Sequence, residues 1–181
     1  ILRGLVGSEM CIRDRTKELE IVKDPRVKTS QEDFEKQLEF LIEVRNEVSR
    51  ANQKIIDIRK IKSDMSFIKD KTDNNVSLKT MIDQYLIELS IIENNIHMTK
   101  NQSRQDPLNF GIRINNRIAF LLADSQRGDF APTDQSKEFF KDVKKELDIQ
   151  ADSLKEVIKS HSQKIKDYIE TNKIELISFE N

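Results

Sequence analysis

The stretch FEKQLEFLIEVRNEVSRANQKIIDIRKIKSDMSFI, from Phe34 to Ile68, decides the fold. Its apolar residues recur every three or four positions with charged residues between them, which is the period of an α-helix with one buried face. This apolar stripe consists of Phe34, Leu38, Leu41, Val48, Ala51, Ile55, Ile58, Met65 and Ile68. A helix of this length extends for about 60 Å and is stable only if other helices cover the stripe. The sequence therefore predicts a helical bundle.

The ends of the predicted helices are marked by capping residues and helix breakers. Thr29-Ser30, followed by Glu32 and Asp33, forms a capping box, so the first helix should begin at Ser30 and continue to about Lys69. Three more helices are predicted from Ser77 to about Lys100, from Ile112 to Arg127 before Gly128, and from Pro132-Thr133 to about Thr171.

Short connections favour antiparallel neighbours. We therefore predict an all-α fold, an antiparallel up-down bundle of about four helices over residues 29–171. The side chains expected in its core are Leu38, Ile55, Leu89, Leu121, Phe139 and Leu154.

The residues that precede the bundle have a different pattern. Glu18 to Lys23 alternates charged and apolar residues before Asp24-Pro25, which predicts one short β-strand. A single strand forms no sheet, so we interpret residues 16–28 as the last strand and linker of a preceding β domain that is missing. A disordered leader is the alternative. Residues 172–181 are predicted to be a C-terminal tail.

Residues 1–15 are interpreted as a non-native segment that resembles a translated sequencing adapter. The common transposon-end adapter, read as ATG TGT ATA AGA GAC AG, encodes Met-Cys-Ile-Arg-Asp, which matches Met10 to Asp14. The segment shows neither strand alternation nor a helical stripe. We therefore exclude it from the fold, and with it Cys11, the only cysteine.

Composition excludes several functional classes. The 181 residues are 35% charged, but acids and bases alternate along the chain and the net charge is only -1. Nucleic-acid binding requires a basic stripe, so no nucleic-acid partner is expected. The longest apolar runs, such as Ile118 to Ala123, fall far short of the roughly 20 residues that span a bilayer, so no membrane span is predicted.

The side chains that commonly support catalysis are few. The sequence contains two histidines, and neither has the Glu-x-x-His spacing of a di-iron bundle, since His97 follows Glu93 by four positions and His161 follows Glu156 by five. Nothing around Ser160-His161-Ser162 indicates a triad with a strained nucleophile turn. We predict no catalytic, cofactor-binding or metal-binding residue and no cofactor, and expect both histidines at the surface or its boundary.

The most informative segment is TKNQSRQDPLNFGIRINNR, from Thr99 to Arg117. Together with VKDPRV (22–27), FLIEVR (40–45), and GDF (128–130) before PTDQ (132–135), it resembles the C-terminal region of large bacterial sortilin-like β-propeller proteins, of the BNR-repeat glycosyl hydrolase type. The resemblance covers nearly all of the chain from Leu19 to Ile169. Gly111 departs from it, since a proline is expected at that position.

The resemblance implies an architecture of propellers, then a small β-sandwich, then this helical region. Upstream β-sandwich and propeller domains of the parent chain would be its partners, with a further protein or glycan partner left open, and the location would be extracytoplasmic or in the cell envelope. The glycosidase label belongs to the propellers, so no catalytic residue transfers to this region.

The loop residues have two interpretations. In the structural one, Asp106 and Asn109 cap the third helix while Arg113 and Asn115 tie the loop to neighbouring helices. In the functional one, the loop docks on the propeller or on a ligand. The residues concerned are Gln105, Asp106, Pro107, Asn109, Arg113, Asn115 and Asn116.

Three functions remain open. The first is a non-catalytic C-terminal structural or docking module, the second is a free-standing helical interaction domain, and the third is part of a glycosyl hydrolase whose active site lies upstream.

Overall fold

The computed structural model describes residues 18–72 and 74–176, and this part of the chain contains helices and no strand. The all-α prediction is therefore confirmed. Five helices follow one another: α1 (Gln31–Lys71), α2 (Val76–Ile96), α3 (Pro107–Phe110), α4 (Ile114–Ser125) and α5 (Asp134–Thr171). No described helix has the length and apolar character needed to cross a membrane.

Side-chain oxygens cap three of these helices. The Ser30 hydroxyl accepts a hydrogen bond from the Asp33 amide at 3.1 Å, as the capping box predicts, and Thr133 caps α5 through the Ser136 amide at 3.1 Å. The predicted cap Ser77 is wrong, because α2 begins earlier. There, Asn75 Oδ1 accepts from the Leu78 amide at 3.0 Å.

Helix α2 runs antiparallel to α1. Lys69 of α1 pairs with Asp83 near the start of α2, while Lys62 Nζ lies 3.0 Å from Glu93 Oε2 near its end. Helix α4 is also antiparallel to α1, since Gln37 Nε2 donates to the Ser125 carbonyl at 2.9 Å. The chain therefore continues in the same direction from α2 into α4.

Helix α5 runs parallel to α1. Arg50 Nη2 lies 2.6 Å from Asp148 Oδ1, and the rings of Phe40 and Phe140 meet edge to face with their centroids 5.5 Å apart. At the far end, the Tyr168 hydroxyl donates to Asn75 Oδ1 at 3.2 Å.

The bundle consequently has three long arms: α1, the middle arm formed by α2 and α4, and α5. The predicted up-down order of about four helices is corrected at this point, because α2 and α4 share one direction. Helix α1 has 41 residues and α2 only 21, so α2 covers about half of the stripe on α1 and α4 must cover the remainder.

Four of the six predicted core residues, Ile55, Leu89, Leu121 and Leu154, are buried. The prediction is wrong for Leu38 and Phe139, which are 45% and 38% exposed. Leu38 lies about a third of a turn from the fully buried Val44 around α1, so it falls outside the covered face. On α5 the neighbouring Phe140 takes the core position instead of Phe139.

The remaining predictions concern the ends of the chain. The structure does not show the strand predicted at residues 18–23, whose apolar side chains Leu19, Ile21 and Val22 are exposed. A strand forms only where another strand pairs with its backbone, and the described residues offer none. The adapter-like residues 1–15 and the last part of the predicted tail, residues 177–181, lie outside the described residues.

Candidate functional site at the break in the middle arm

The middle arm is interrupted between Ile96 and Ile114, and we call residues 97–113 the arm break. Its sequence predicts a third helix from Ile112, but the structure forms the single turn α3 first and begins α4 at Ile114. Helix α2 ends where His97 adopts an extended backbone, and the buried Met98 anchors the departing chain. Asn115 Nδ2 lies 3.2 Å from His97 Nδ1, which joins the two halves of the arm.

Asp106 closes the first turn of the break. Its Oδ2 accepts the Gln102 and Ser103 amides at 2.5 and 2.8 Å, and its Oδ1 accepts the Ser103 hydroxyl at 2.8 Å. The backbone bonds of Gln102 and Ser103, followed by the Ser103 hydroxyl, lower the pKa of the Asp106 carboxyl. The predicted capping of the third helix by Asp106 is therefore wrong, because the carboxylate is occupied by the preceding turn.

The other predicted cap, Asn109, is exposed, and its side chain makes no hydrogen bond within residues 18–72 and 74–176. Gln105 is also exposed, whereas Pro107 is half-buried at the first position of α3. The structure thus leaves Gln105 and Asn109 apart from the packed part of the break.

Gly111 ends α3 in a conformation that other residues rarely adopt. Its φ is 73° and its ψ is 177°, and its amide donates to the Pro107 carbonyl at 3.0 Å. A positive φ of this kind is almost confined to glycine. A proline at this position would not fit the observed conformation, since proline requires a φ near −65°.

Polar atoms at the break and the start of α4 are shielded from solvent and have no partner among the described residues. They are Asn101 Oδ1, Arg113 Nε, Asn115 Oδ1 and Asn116 Oδ1. Buried polar atoms are normally hydrogen-bonded, so such a concentration singles out this part of the fold. Three of the four belong to residues that the sequence predicted as site residues.

A cavity of about 270 Å³ lies beside the break, between the middle arm and α5. Its lining consists of Asn95, Ile112, Arg113, Ile114, Arg117, Glu146, Ile149 and Gln150. Arg117 Nη1 lies 2.6 Å from Glu146 Oε2, and Asn95 Nδ2 donates to Gln150 Oε1 at 3.1 Å. Of the predicted site residues, only Arg113 lines this cavity. No sequence pattern indicates the α5 residues of this lining, because they approach α4 only when the arms are packed together.

Glu93 is the buried acidic residue in the described part of the chain. Its carboxylate lies 2.7 Å from Arg59 Nε and 3.0 Å from Lys62 Nζ. Burial by itself raises the pKa of Glu93, but the hydrogen bonds and charges of Arg59 and Lys62 outweigh burial and lower it. Glu93 therefore forms a buried ionic link between α2 and α1.

The two histidines occupy half-buried boundary positions. His161 Nε2 lies 3.1 Å from Glu88 Oε2, and its ring stacks on Tyr85 with centroids 4.9 Å apart. Within the described ranges, no group of three or more His, Cys, Asp or Glu side chains is arranged to hold a metal ion. The imidazole of His161 thus serves the packing of α2 on α5.

Comparison of the chain with protein-family models, with curated proteins and with solved structures finds no match in any of the three.

Proposed function

We propose that this chain is a non-catalytic structural and docking module, which packs by one end of its bundle against β-sandwich and propeller domains that precede it in a larger sortilin-like, BNR-repeat protein. The observation that carries the proposal is a set of exposed apolar side chains at the end of the bundle where the chain enters α1. We call this set the apolar end residues: Leu38, Ile42, Phe120, Phe130 and Phe139.

Two contacts locate these residues at the same end of the molecule. The Thr29 hydroxyl, just before α1, donates to the Asp129 carbonyl in the connection between α4 and α5. Gln37 of α1 lies opposite Ser125 of α4, so in antiparallel helices Ile42 and Phe120 are at about the same level. The incoming chain and the apolar end residues are therefore at the same end of the bundle.

Exposed apolar side chains indicate an interface when several lie at one end of a fold. Single exposed apolar side chains are ordinary, whereas five of them at one end of a bundle favour contact with another protein domain. Phe120 is 60% exposed and Phe130 51% exposed, and covering such rings releases water and contributes free energy.

The segment before α1 supports the same function. Leu19, Ile21 and Val22 are all exposed, and the alternation of this segment suits an edge strand. We propose that it adds to the last sheet of the preceding domain, whose edge would satisfy its backbone groups. The helical bundle would then be held against that domain through both the strand and the apolar end residues.

The ionisable groups favour a structural role over acid catalysis. A general acid in glycoside cleavage requires a raised carboxyl pKa, whereas those of Glu88, Glu93 and Asp106 are all lowered. These carboxylates each have hydrogen-bond partners that belong to the fold.

The first test is to recover the uninterrupted upstream reading frame from the source DNA. The expected result is propeller repeats followed by a β-sandwich that ends at the strand of residues 18–23. A stop codon shortly upstream, in place of such domains, would contradict the proposal and support a free-standing interaction domain. Hydrolysis of aryl glycosides by the 181-residue chain itself would contradict the non-catalytic part.

The second test measures docking in the full-length protein by protection of the apolar end from limited proteolysis. Replacing Ile42 and Phe120 by lysine should expose the boundary between the domains to cleavage, because two charges would be placed in an apolar contact. The matched control replaces Ile87 and Ile91, which are also exposed but lie on α2 away from this end. Equal effects from both pairs would show that the end has no special role.

A further inference from the structure

The cavity beside the arm break has an unpaired arginine, Arg113, and an apolar wall. Arg113 lines it and has neither a hydrogen bond nor an ion pair in the described part of the chain, and its Nε is shielded from water. Arg113 therefore has a shielded guanidinium donor that no group in the described part of the chain satisfies.

The other charges of the cavity compensate each other. Arg117 Nη1 is 2.6 Å from Glu146 Oε2, so this pair contributes no net charge. The lining as a whole therefore carries one positive charge, at Arg113. Ile112 and Ile149 are more than half exposed, and with Ile114 they supply the apolar part of the wall.

We propose that this cavity binds a monocarboxylate with a short aliphatic stem. The carboxylate pairs with the guanidinium of Arg113, whose planar fork matches two carboxylate oxygens, and the stem contacts the isoleucines. Asn95 and Gln150 provide amide groups at the rim. Occupation neutralises Arg113 and covers apolar surface at the same time.

Size and charge distinguish this ligand from others. A volume of about 270 Å³ is at the lower limit of small-molecule sites, so it suits a ligand of a few heavy atoms or one side chain. A doubly charged phosphate would leave an excess negative charge beside Glu146 and would make no use of the isoleucines. The same chemistry is offered by a free short-chain acid and by a glutamate side chain of a peptide.

This inference does not depend on the proposed docking function. The cavity lies at the arm break, and none of the apolar end residues lines it. The docking test changes Ile42 and Phe120, which do not line the cavity, so loss of either activity leaves the other measurable.

The test is an NMR titration of the full chain at constant ionic strength, followed through the backbone amides of residues 112–117. Sodium butyrate and N-acetyl-glutamate methylamide represent the two sources, while 1-butanol, inorganic phosphate and chloride are the comparison solutes. We expect saturable shifts with a carboxylate, with a Kd on the order of 1 mM for so few heavy atoms. Saturation by butyrate alone identifies the ligand as a free acid. Saturation by both probes shows that the site also accepts a glutamate side chain.

Two variants separate the charge from the apolar wall. Arg113→Gln removes the positive charge and should weaken butyrate binding by about 10- to 100-fold, as expected for a charged hydrogen bond. Ile149→Trp fills the cavity from a half-exposed position and should abolish binding while Arg113 remains. Arg104→Gln, with the same change of charge at an exposed site of the same loop, is the control and should leave binding unchanged.

Circular dichroism establishes that each variant is folded before titration. Saturable binding that persists in both Arg113→Gln and Ile149→Trp would overturn the proposal. Shifts that increase linearly without saturation, tighter binding of phosphate than of butyrate, or equal binding of 1-butanol would also overturn it.

Discussion

Asn115 Nδ2, in the first turn of α4, lies 3.2 Å from Nδ1 of His97, the C-cap residue of α2. This contact joins the two halves of the interrupted arm. In this orientation of the Asn115 amide, its nitrogen faces the ring nitrogen of His97, so the contact has the geometry of a hydrogen bond. This bond closes a gap of 17 residues in the chain with a single side-chain contact.

We predict that Asn115→Ala lowers the free energy of unfolding by about 0.5 to 1.5 kcal/mol, because a hydrogen bond across the break is lost. Urea denaturation measures the difference. Asn116→Ala is the matched control, since this neighbouring asparagine has a shielded Oδ1 and no hydrogen bond among the described residues. It should cost less, and a larger cost for Asn116→Ala would show that the His97 contact does not stabilise the break.

Glu93→Gln should lower the free energy of unfolding by about 1.5 to 3 kcal/mol at neutral pH, because charge-assisted bonds to Arg59 and Lys62 are lost. Glu32→Gln, which removes an exposed pair with Lys36, should have a much smaller effect. Chemical denaturation of both variants provides the comparison, and equal losses would contradict the role of burial.

The same carboxylate predicts an acid limb in the stability profile. The pKa of Glu93 is lower in the folded chain than the ordinary value of about 4.3 for a free glutamate, so its contribution is fully present above that value. The contribution is lost as the pH falls from about 4.3 through the lowered folded value. Denaturation midpoints measured from pH 6 to pH 3 should fall less steeply in Glu93→Gln, and parallel curves would contradict this assignment.

Leu89→Ala should cost about 2 to 5 kcal/mol, because Leu89 is fully buried and its truncation leaves a cavity between the arms. Ile87→Ala on the same helix should change stability by no more than about 0.5 kcal/mol, since Ile87 is exposed. Both are measured by urea denaturation. Similar costs at the two positions would refute the orientation of α2.

Gly111→Ala should cost about 1 to 3 kcal/mol although its Cβ would meet no atom within 4 Å, because the positive φ strains any other residue. Gly111→Pro should cost more, since it also removes the bond to the Pro107 carbonyl. Asn109→Ala, an exposed neighbour, is the control. A stabilising Gly111→Pro would contradict the positive φ at this position.

Deleting residues 1–15 should leave the melting temperature unchanged, because the resemblance of this segment to a translated adapter predicts that it does not pack on the bundle. Differential scanning calorimetry of the full and shortened chains makes the comparison. A decrease of several degrees would show that the segment is a native part of the fold.

The sequence predicted the roles of the candidate-site residues only in part. Arg113 and Asn115 were expected to tie the loop to neighbouring helices; Asn115 contacts His97, whereas Arg113 has no hydrogen bond or ion pair among the described residues. Asp106 instead closes the preceding turn, since Pro107 has no amide hydrogen and the Leu108 and Asn109 amides donate to backbone carbonyls. Arg117 and Glu146 were missed, since 29 residues separate two side chains that meet only when α4 packs on α5.

By itself, the sequence determined the four longer helices, most of their ends and most of the core. A stripe of period 3.6 and the hydroxyl groups of Ser30 and Thr133 act within a few residues, so local pattern is sufficient for them. Only the tertiary structure decided the direction of α4, the exposure of Leu38 and Phe139, and the cavity at Arg113. These features depend on which face of each helix is covered by another arm. The covered faces follow from the packing of two shorter helices, α2 and α4, along the whole length of α1 and α5.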